Sequence, residues 1–323
     1  MGENVKDGLN FLNNFLMKRT LLIFFLLSGI CHAQQDPQYS MYMFNQLAIN
    51  PAYAGSKNSL SSTLLVRNQW TTFIGSPKTS LISIHGPIRR KFIGLGGYVY
   101  TESIGPKQTT GAYGTYCYRK KLGNGVISAG IGTGILNYYF NWNELKFKDQ
   151  GDINSYYQTN SRTVFDFSAG LYYQDNSFYA GLSMTHLNGA KIFDNIQLDS
   201  ANFFADYSLK RHIFLTVGKG FKVGENFIIN PSMVVKYYGT NQPAVDINLN
   251  INLKQKVWIG VSARAKYGYV FLTQYNVNDN FRVGYSLDAG TNQIGRPAGL
   301  SHEIILGYNF NIFHTKIISP RFL

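Results

Sequence analysis

Stretches of about ten residues in which apolar and polar side chains alternate recur along this chain, and they constrain it more than any other feature. Val245, Ile247, Leu249, Ile251 and Leu253 alternate with Asp246, Asn248, Asn250, Asn252 and Lys254. Phe281, Val283, Tyr285, Leu287 and Ala289 alternate with Arg282, Gly284, Ser286 and Asp288. Ile304, Leu306, Tyr308, Phe310 and Ile312 alternate with Glu303, Gly307, Asn309 and Asn311, and Phe165, Phe167, Ala169, Leu171 and Tyr173 flank Asp166, Ser168 and Gly170. Successive side chains of a strand point to opposite faces, so each stretch is a strand with one apolar and one polar face. No long apolar stripe of helical period competes with this pattern.

Alternation also occurs in soluble sandwiches, so the connections must decide the solvent. About fourteen strands are expected, an even number as bacterial barrels require. They begin near residues 59, 78, 91, 108, 125, 163, 177, 210, 226, 243, 256, 268, 280 and 302. Short connections fall near Gly86-Pro87, Gly123-Asn124-Gly125, Asp175-Asn176, Gly224-Glu225-Asn226, Lys254-Gln255 and Asn278-Asp279-Asn280. Long ones run over 140–162, 188–210 and 290–301, with Lys266-Tyr267-Gly268 an exception on the long side. Short turns at one end and long loops at the other are the asymmetry of an outer-membrane barrel. The fold expected is therefore an all-β, antiparallel transmembrane outer-membrane barrel with long extracellular loops and short periplasmic turns. Hydrocarbon offers no hydrogen-bond partner, so the first strand must close on the last. Gly307, Phe310 and Ile312 fit the Gly-x-x-aromatic-x-hydrophobic insertion signal of such proteins, although the chain runs on to Leu323.

Composition agrees. Only 15% of the 323 residues are charged, 15% are aromatic and 32 are Gly, as many strands, tight turns and aromatic girdles require. Mean hydropathy of −0.13 argues against a helical membrane protein. Lys18-Arg19 followed by the apolar run 21–30 and Cys31-His32-Ala33 reads as a cleaved signal peptide, too short to span a bilayer. Residues 1–33 are thus expected to be an extension plus signal with the natural start at Met17, 34–57 a periplasmic lead-in, and 58–323 the barrel. The net charge of +13 suits anionic headgroups or an acidic partner; an exported chain rarely meets nucleic acid.

No catalytic, cofactor or metal constellation emerges. Cys117 is the only cysteine after the signal and is expected to be a small strand residue. His85, His186, His212, His302 and His314 lie near strand ends without metal-ligand spacing and are expected to be interfacial. Asp166, Asp246, Asp288 and Glu303 share the polar faces with Arg119, Arg264, Lys266 and Arg282, which points to charge pairing in the lumen rather than hydrolysis. Gly130, Gly132 and Gly134 thin one strand, so that something can approach the inner wall closely. The chain is expected not to be an enzyme.

The stretch after the signal reads Gln35-Asp36-Pro37-Gln38-Tyr39-Ser40-Met41-Tyr42-Met43-Phe44-Asn45-Gln46, then Asn50-Pro51-Ala52-Tyr53-Ala54-Gly55. Further on come Arg67-Asn68-Gln69-Trp70, Gly75-Ser76-Pro77, Ser83-Ile84-His85-Gly86-Pro87 and Ser301-His302-Glu303-Ile304. These runs resemble the PorP/SprF family of outer-membrane proteins of the Bacteroidota type IX secretion system. The resemblance implies export or surface anchoring of secreted proteins such as large adhesins, used in gliding motility or adhesion. It implies partners in the outer-membrane lipid, the secreted adhesin, and the periplasmic ring and motor components. A passive porin or solute channel is the alternative. On the family motif, Tyr39, Met41, Phe44, Asn45, Asn50, Pro51, Tyr53, Gly55, Arg67 and Trp70 are the candidate partner-binding residues. Lying outside the alternating pattern, residues 39–55 are either a lead-in over the barrel mouth or a docking or plug segment, and are expected to be needed for client display but not for barrel folding.

Overall fold

The structure, a computed structural model, describes residues 36–88, 92–145, 160–197, 204–239, 243–293 and 295–310. The signal region, Arg89-Arg90-Lys91, His314 and the chain beyond Phe310, including Ile312, lie outside the described residues. The strands, in chain order, are β1 (Leu60–Asn68), β2 (Lys78–Ile88), β3 (Ile93–Ile104), β4 (Lys107–Leu122), β5 (Gly125–Phe140), β6 (Asn160–Gln174), β7 (Phe178–Thr185), β8 (Lys191–Gln197), β9 (Phe204–Ser208), β10 (His212–Lys219), β11 (Phe221–Val223), β12 (Phe227–Tyr237), β13 (Ala244–Leu253), β14 (Val257–Arg264), β15 (Gly268–Asn276), β16 (Phe281–Gly290) and β17 (Ser301–Phe310).

Fifteen of these form one antiparallel sheet, in which β10 and β11 are two parts of a single stave interrupted at Gly220. The barrel therefore has fourteen staves. It closes where β1 pairs along its whole length with β17, from Leu60 opposite Phe310 to Asn68 opposite His302. β10 pairs with β7 on one side and β12 on the other, so the sheet has no free edge there. Closure satisfies every ladder without lipid as a partner. β8 and β9 form a separate hairpin within the connection 186–211, which the sequence pattern left as plain loop.

The faces follow the expected parity. Ile247, Leu249, Ile304 and Tyr285 are exposed on the outer surface, and Leu306 and Val283 are half-buried on that face. Asp246, Asn248 and Glu303 are buried on the inner one. Exposed aromatics gather towards both rims, with Tyr118, Phe227, Tyr275 and Tyr308 near one and Tyr139, Phe165, Tyr237 and Tyr269 near the other. That is the girdle pattern of a barrel in lipid. Connections 123–124, 175–177, 224–226, 254–256 and 277–280 mark the turn end, which is periplasmic. Connections 69–77, 186–211 and 291–300 mark the extracellular loop end. The short link at 265–267 is matched by a second at Gly105-Pro106, so two hairpins are clipped on that side.

Candidate functional site

The interior is not a water-filled tube. Residues 36–57, expected on the periplasmic side ahead of the first strand, lie inside the barrel. Their polar groups find partners on the wall from one end to the other. Asp36 sits at the extracellular end beside His186 and His212. Ser56 reaches the periplasmic end, where its carbonyl accepts from Gln174 Nε2 at 2.8 Å, and the chain then turns into β1.

Local chemistry explains the path. Asn50, extended at φ −142°, accepts from the Ala52 N–H at 2.9 Å and starts the 3-10 turn Pro51–Tyr53, with Pro51 at the position that needs no donor. The Asn50 Nδ2 donates to the Leu171 carbonyl at 3.0 Å, and Ser183 Oγ donates to the Ile49 carbonyl at 2.6 Å. Two further 3-10 turns, Tyr42–Phe44 and Gln46–Ala48, bond much of this backbone internally. The wall gives way where the segment passes. A Cβ on Gly130 would lie 2.6 Å from the Cα of Ala52, so a side chain there must push the segment aside. A Cβ on Gly94 would collide with the Ala54 carbonyl, to which Cys117 Sγ donates at 2.9 Å. The close approach expected at the Gly130 strand is thus made by the protein's own chain. Gly55 needs its φ of +70° and donates to His85 Nδ1 at 3.1 Å.

Apolar packing completes the filling. Met41 is wholly buried with Leu65, Leu81, Leu136 and Ile305 of the wall. Leu47, Ala52, Tyr53 and Ala54 pack with Cys117, Tyr172 and Tyr179. Tyr42, Met43 and Ile49 pack with Phe214, Val234 and Leu272. Phe44 meets Trp258 edge to face at 5.9 Å, and Tyr53 meets Tyr172 at 5.4 Å.

A charged network ties the segment to the wall. Arg67 Nη2 donates to Asp288 Oδ2 at 2.7 Å and its Nη1 to Glu303 Oε2 at 3.2 Å. Glu303 also accepts the backbone N–H groups of Ser40 at 2.9 Å and Met41 at 2.7 Å. Ser40 Oγ accepts from Arg67 at 2.7 Å and donates to Asp288 at 2.6 Å. Next to it, Asp246 accepts from Lys236 at 2.6 Å and from Arg264 at 3.1 Å. Charge pairing of the inner carboxylates is therefore observed, with differences in the cations. Arg67 and Lys236 are central, although neither stands out as a pairing residue in the sequence. Arg282 donates to Thr63 and Asn309 rather than to an acid. Lys266 is not in the lumen: it occupies the clipped hairpin at φ +63° and is exposed, because the strand ends at Arg264.

The structure brings together Tyr39, Met41, Phe44, Asn45, Asn50, Pro51, Tyr53, Gly55 and Arg67, all buried or half-buried in the lumen. Trp70 stands apart in the extracellular loop 69–77, its backbone N–H donating to Ser301 Oγ at 3.1 Å. Of the histidines expected at the interface, His302 fits, accepting or donating at 2.7 Å with the exposed Tyr285 hydroxyl. His85, His186 and His212 do not; they are buried inside. His186 Nε2 lies 2.9 Å from Asp36 Oδ1, its Nδ1 lies 3.0 Å from Asp166 Oδ2, and His212 Nδ1 lies 2.8 Å from Asp36 Oδ2. Burial opposes a charge on His186, but the flanking Asp36 and Asp166 carboxylates outweigh it and hold the imidazole up at about 10.

A closed fourteen-stave barrel with an apolar outer face, its lumen occupied by its own N-terminal segment, is an integral protein of the outer membrane. The sequence matches the family described as type IX secretion system membrane protein PorP/SprF over residues 31–308, and the chain belongs to that family. No curated protein sequence matches it. Solved structures that resemble it include Omp33 of Acinetobacter baumannii, with a TM-score of 0.46 at 10% identity, covering 79% of this chain and 100% of that one. The toluene transporter TbuX of Ralstonia pickettii has a TM-score of 0.46 at 8% identity, covering 82% of this chain and 92% of that one. A deltaS2 mutant of the monoaromatic hydrocarbon channel TodX has a TM-score of 0.48 at 10% identity, covering 83% and 94%.

Proposed function

We propose that this protein supports the export or surface anchoring of secreted proteins, such as large adhesins, as a plugged barrel and not as a conduit. Membership of the secretion family supports the pathway. The observation that carries the mode of action is the residue-by-residue bonding of 36–57 to the inner wall. A passive solute channel would need that segment displaced, with Glu303, Asp288 and the Gly130 strand stripped of their partners. The candidate partner-binding residues 39–55 hold the plug, so a client meets the extracellular loops and the rim instead. Periplasmic ring and motor components would meet the turn end, where Lys57, Gln174, Arg282 and Asn309 line an open vestibule of about 370 Å³. Catalysis has no place in this reading, in which Asp166, Asp246, Asp288 and Glu303 are engaged by an imidazole, a cation or a donor from the plug.

The experiment is single-channel recording paired with client display in the native host. The wild-type barrel should not conduct, and cells lacking it should lose a defined secreted protein from their surface. Steady conductance by the wild type together with normal display in the knockout would replace this reading with the porin one.

A further inference from the structure

Three groups far apart in sequence meet at the extracellular end of the lumen. Asp36 comes from the plug, His186 directly follows β7, and His212 opens β10. β7 and β10 are paired neighbours, with His212 opposite Thr185, so the two histidines stand at the two feet of the connection 186–211. One ligand atom from each of the three residues can be chosen so that all lie within 4.8 Å of one another. A tetrahedral zinc ion, with bonds of about 2.0–2.1 Å, holds its ligand atoms roughly 3.3 Å apart, inside this limit.

The surroundings are those of a ligand set. Both imidazoles are about 1% exposed, so their orientation is fixed by packing. His186 turns its Nδ1 to Asp166, which is itself wholly buried and accepts from the Tyr113 hydroxyl at 2.7 Å. A carboxylate behind one imidazole nitrogen, with the other turned toward Asp36, is the outer-shell arrangement of metal-bound histidines. A cavity of about 30 Å³ beside Asp36, His186 and Asp166 has room for a water as a fourth ligand.

We propose that Asp36, His186 and His212 bind one divalent transition-metal ion, with Zn²⁺ the best match, and that the ion fastens the plug to the β7–β10 wall. Two neutral imidazoles and one carboxylate are a zinc donor set that leaves one coordination position open. Binding needs deprotonated ligand atoms, so entry of the ion releases any proton they hold. The ion would also hold together the feet of the connection that carries the β8–β9 hairpin.

The test uses the full chain extracted from outer membranes in mild detergent, stripped with a chelator and exchanged into metal-free buffer. It is titrated with ZnCl₂, and metal content is read by elemental analysis after desalting. Expected is one zinc per barrel, with the zinc affinity falling on the order of 10–100-fold in Asp166→Asn. Retained zinc should disappear in His186→Gln/His212→Gln. Asp36→Asn alters only the plug, so the wall stays heat-modifiable on gels while zinc affinity drops. Failure of the stripped wild type to take up zinc would make the cluster an ion pair only and overturn the proposal. So would equal uptake by wild type and a heat-modifiable Asp36→Asn. Because the readout is bound metal, a failed secretion reading would leave it untouched.

Discussion

The wall and the plug of this barrel obey different rules. Every stave of the wall repeats one instruction, apolar outward and polar inward, and backbone pairing does the rest. The plug repeats nothing. It is three 3-10 turns and irregular links, held by a particular partner at almost each residue. A periodic element tolerates change at any one position because its neighbours share the load. An aperiodic one is set by individual bonds, so single substitutions on the inner face should matter more than the polar character of that face suggests.

The largest effect is expected at Arg67, where wall and plug share charges. Arg67→Ala leaves Glu303 without its cation and Asp288 with only Arg264, at 3.5 Å, and breaking such a buried pair costs about 3–5 kcal/mol. Urea unfolding in detergent micelles should show it, and an unchanged midpoint would mean that water reaches this network. Leu249→Arg comes next. It puts a charge on the lipid face of β13, at a cost of roughly 2–4 kcal/mol near the midplane. The loss should appear as a smaller folded fraction on semi-native gels.

Gly130→Val separates the two regions. Strand parity is untouched, but the side chain enters the space of Pro51 and Ala52, and such overpacking costs about 1–3 kcal/mol. The barrel should still migrate as a folded species while added protease cuts within 36–57. A segment that stays protected would show that the wall can yield at β5. The smallest effect is expected at Ile74, fully exposed in the loop 69–77. Ile74→Ser should leave the unfolding transition where it is, and a shift would reveal a contact made by that loop.

The legibility of the wall follows from its periodicity. The expected starts near 78, 125 and 268 coincide with β2, β5 and β15, and those near 59, 226, 243, 256 and 280 fall one residue early. β6 begins earlier than expected, at Asn160, because its first residues are polar and hide the alternation while still pairing with β5. The β8–β9 hairpin shows no clean alternation and includes a register shift, so it passes for loop. Family resemblance names the plug's residues, and the sequence leaves a lead-in over the barrel mouth and a docking or plug role both open. Lack of alternation says that a segment is not a stave and says nothing of which side of the wall it occupies. Residues 39–55 are tied to the wall by bonds that leave no period, such as Ser40 to Glu303 and Asn50 to Leu171.

By itself, the sequence determined the barrel, its parity and its membrane, because those depend on neighbours two residues apart and on turns of two or three. It determined the family through short runs of residues spread along the chain. Only the tertiary structure decided what fills the lumen and which groups meet there. Arg67 finds Glu303 because β1 closes on β17, and His186 finds His212 across a long excursion because β7 and β10 are neighbours in the sheet. Contacts of that kind depend on closure, a property of the whole ring of strands that leaves no period in the residues that make it.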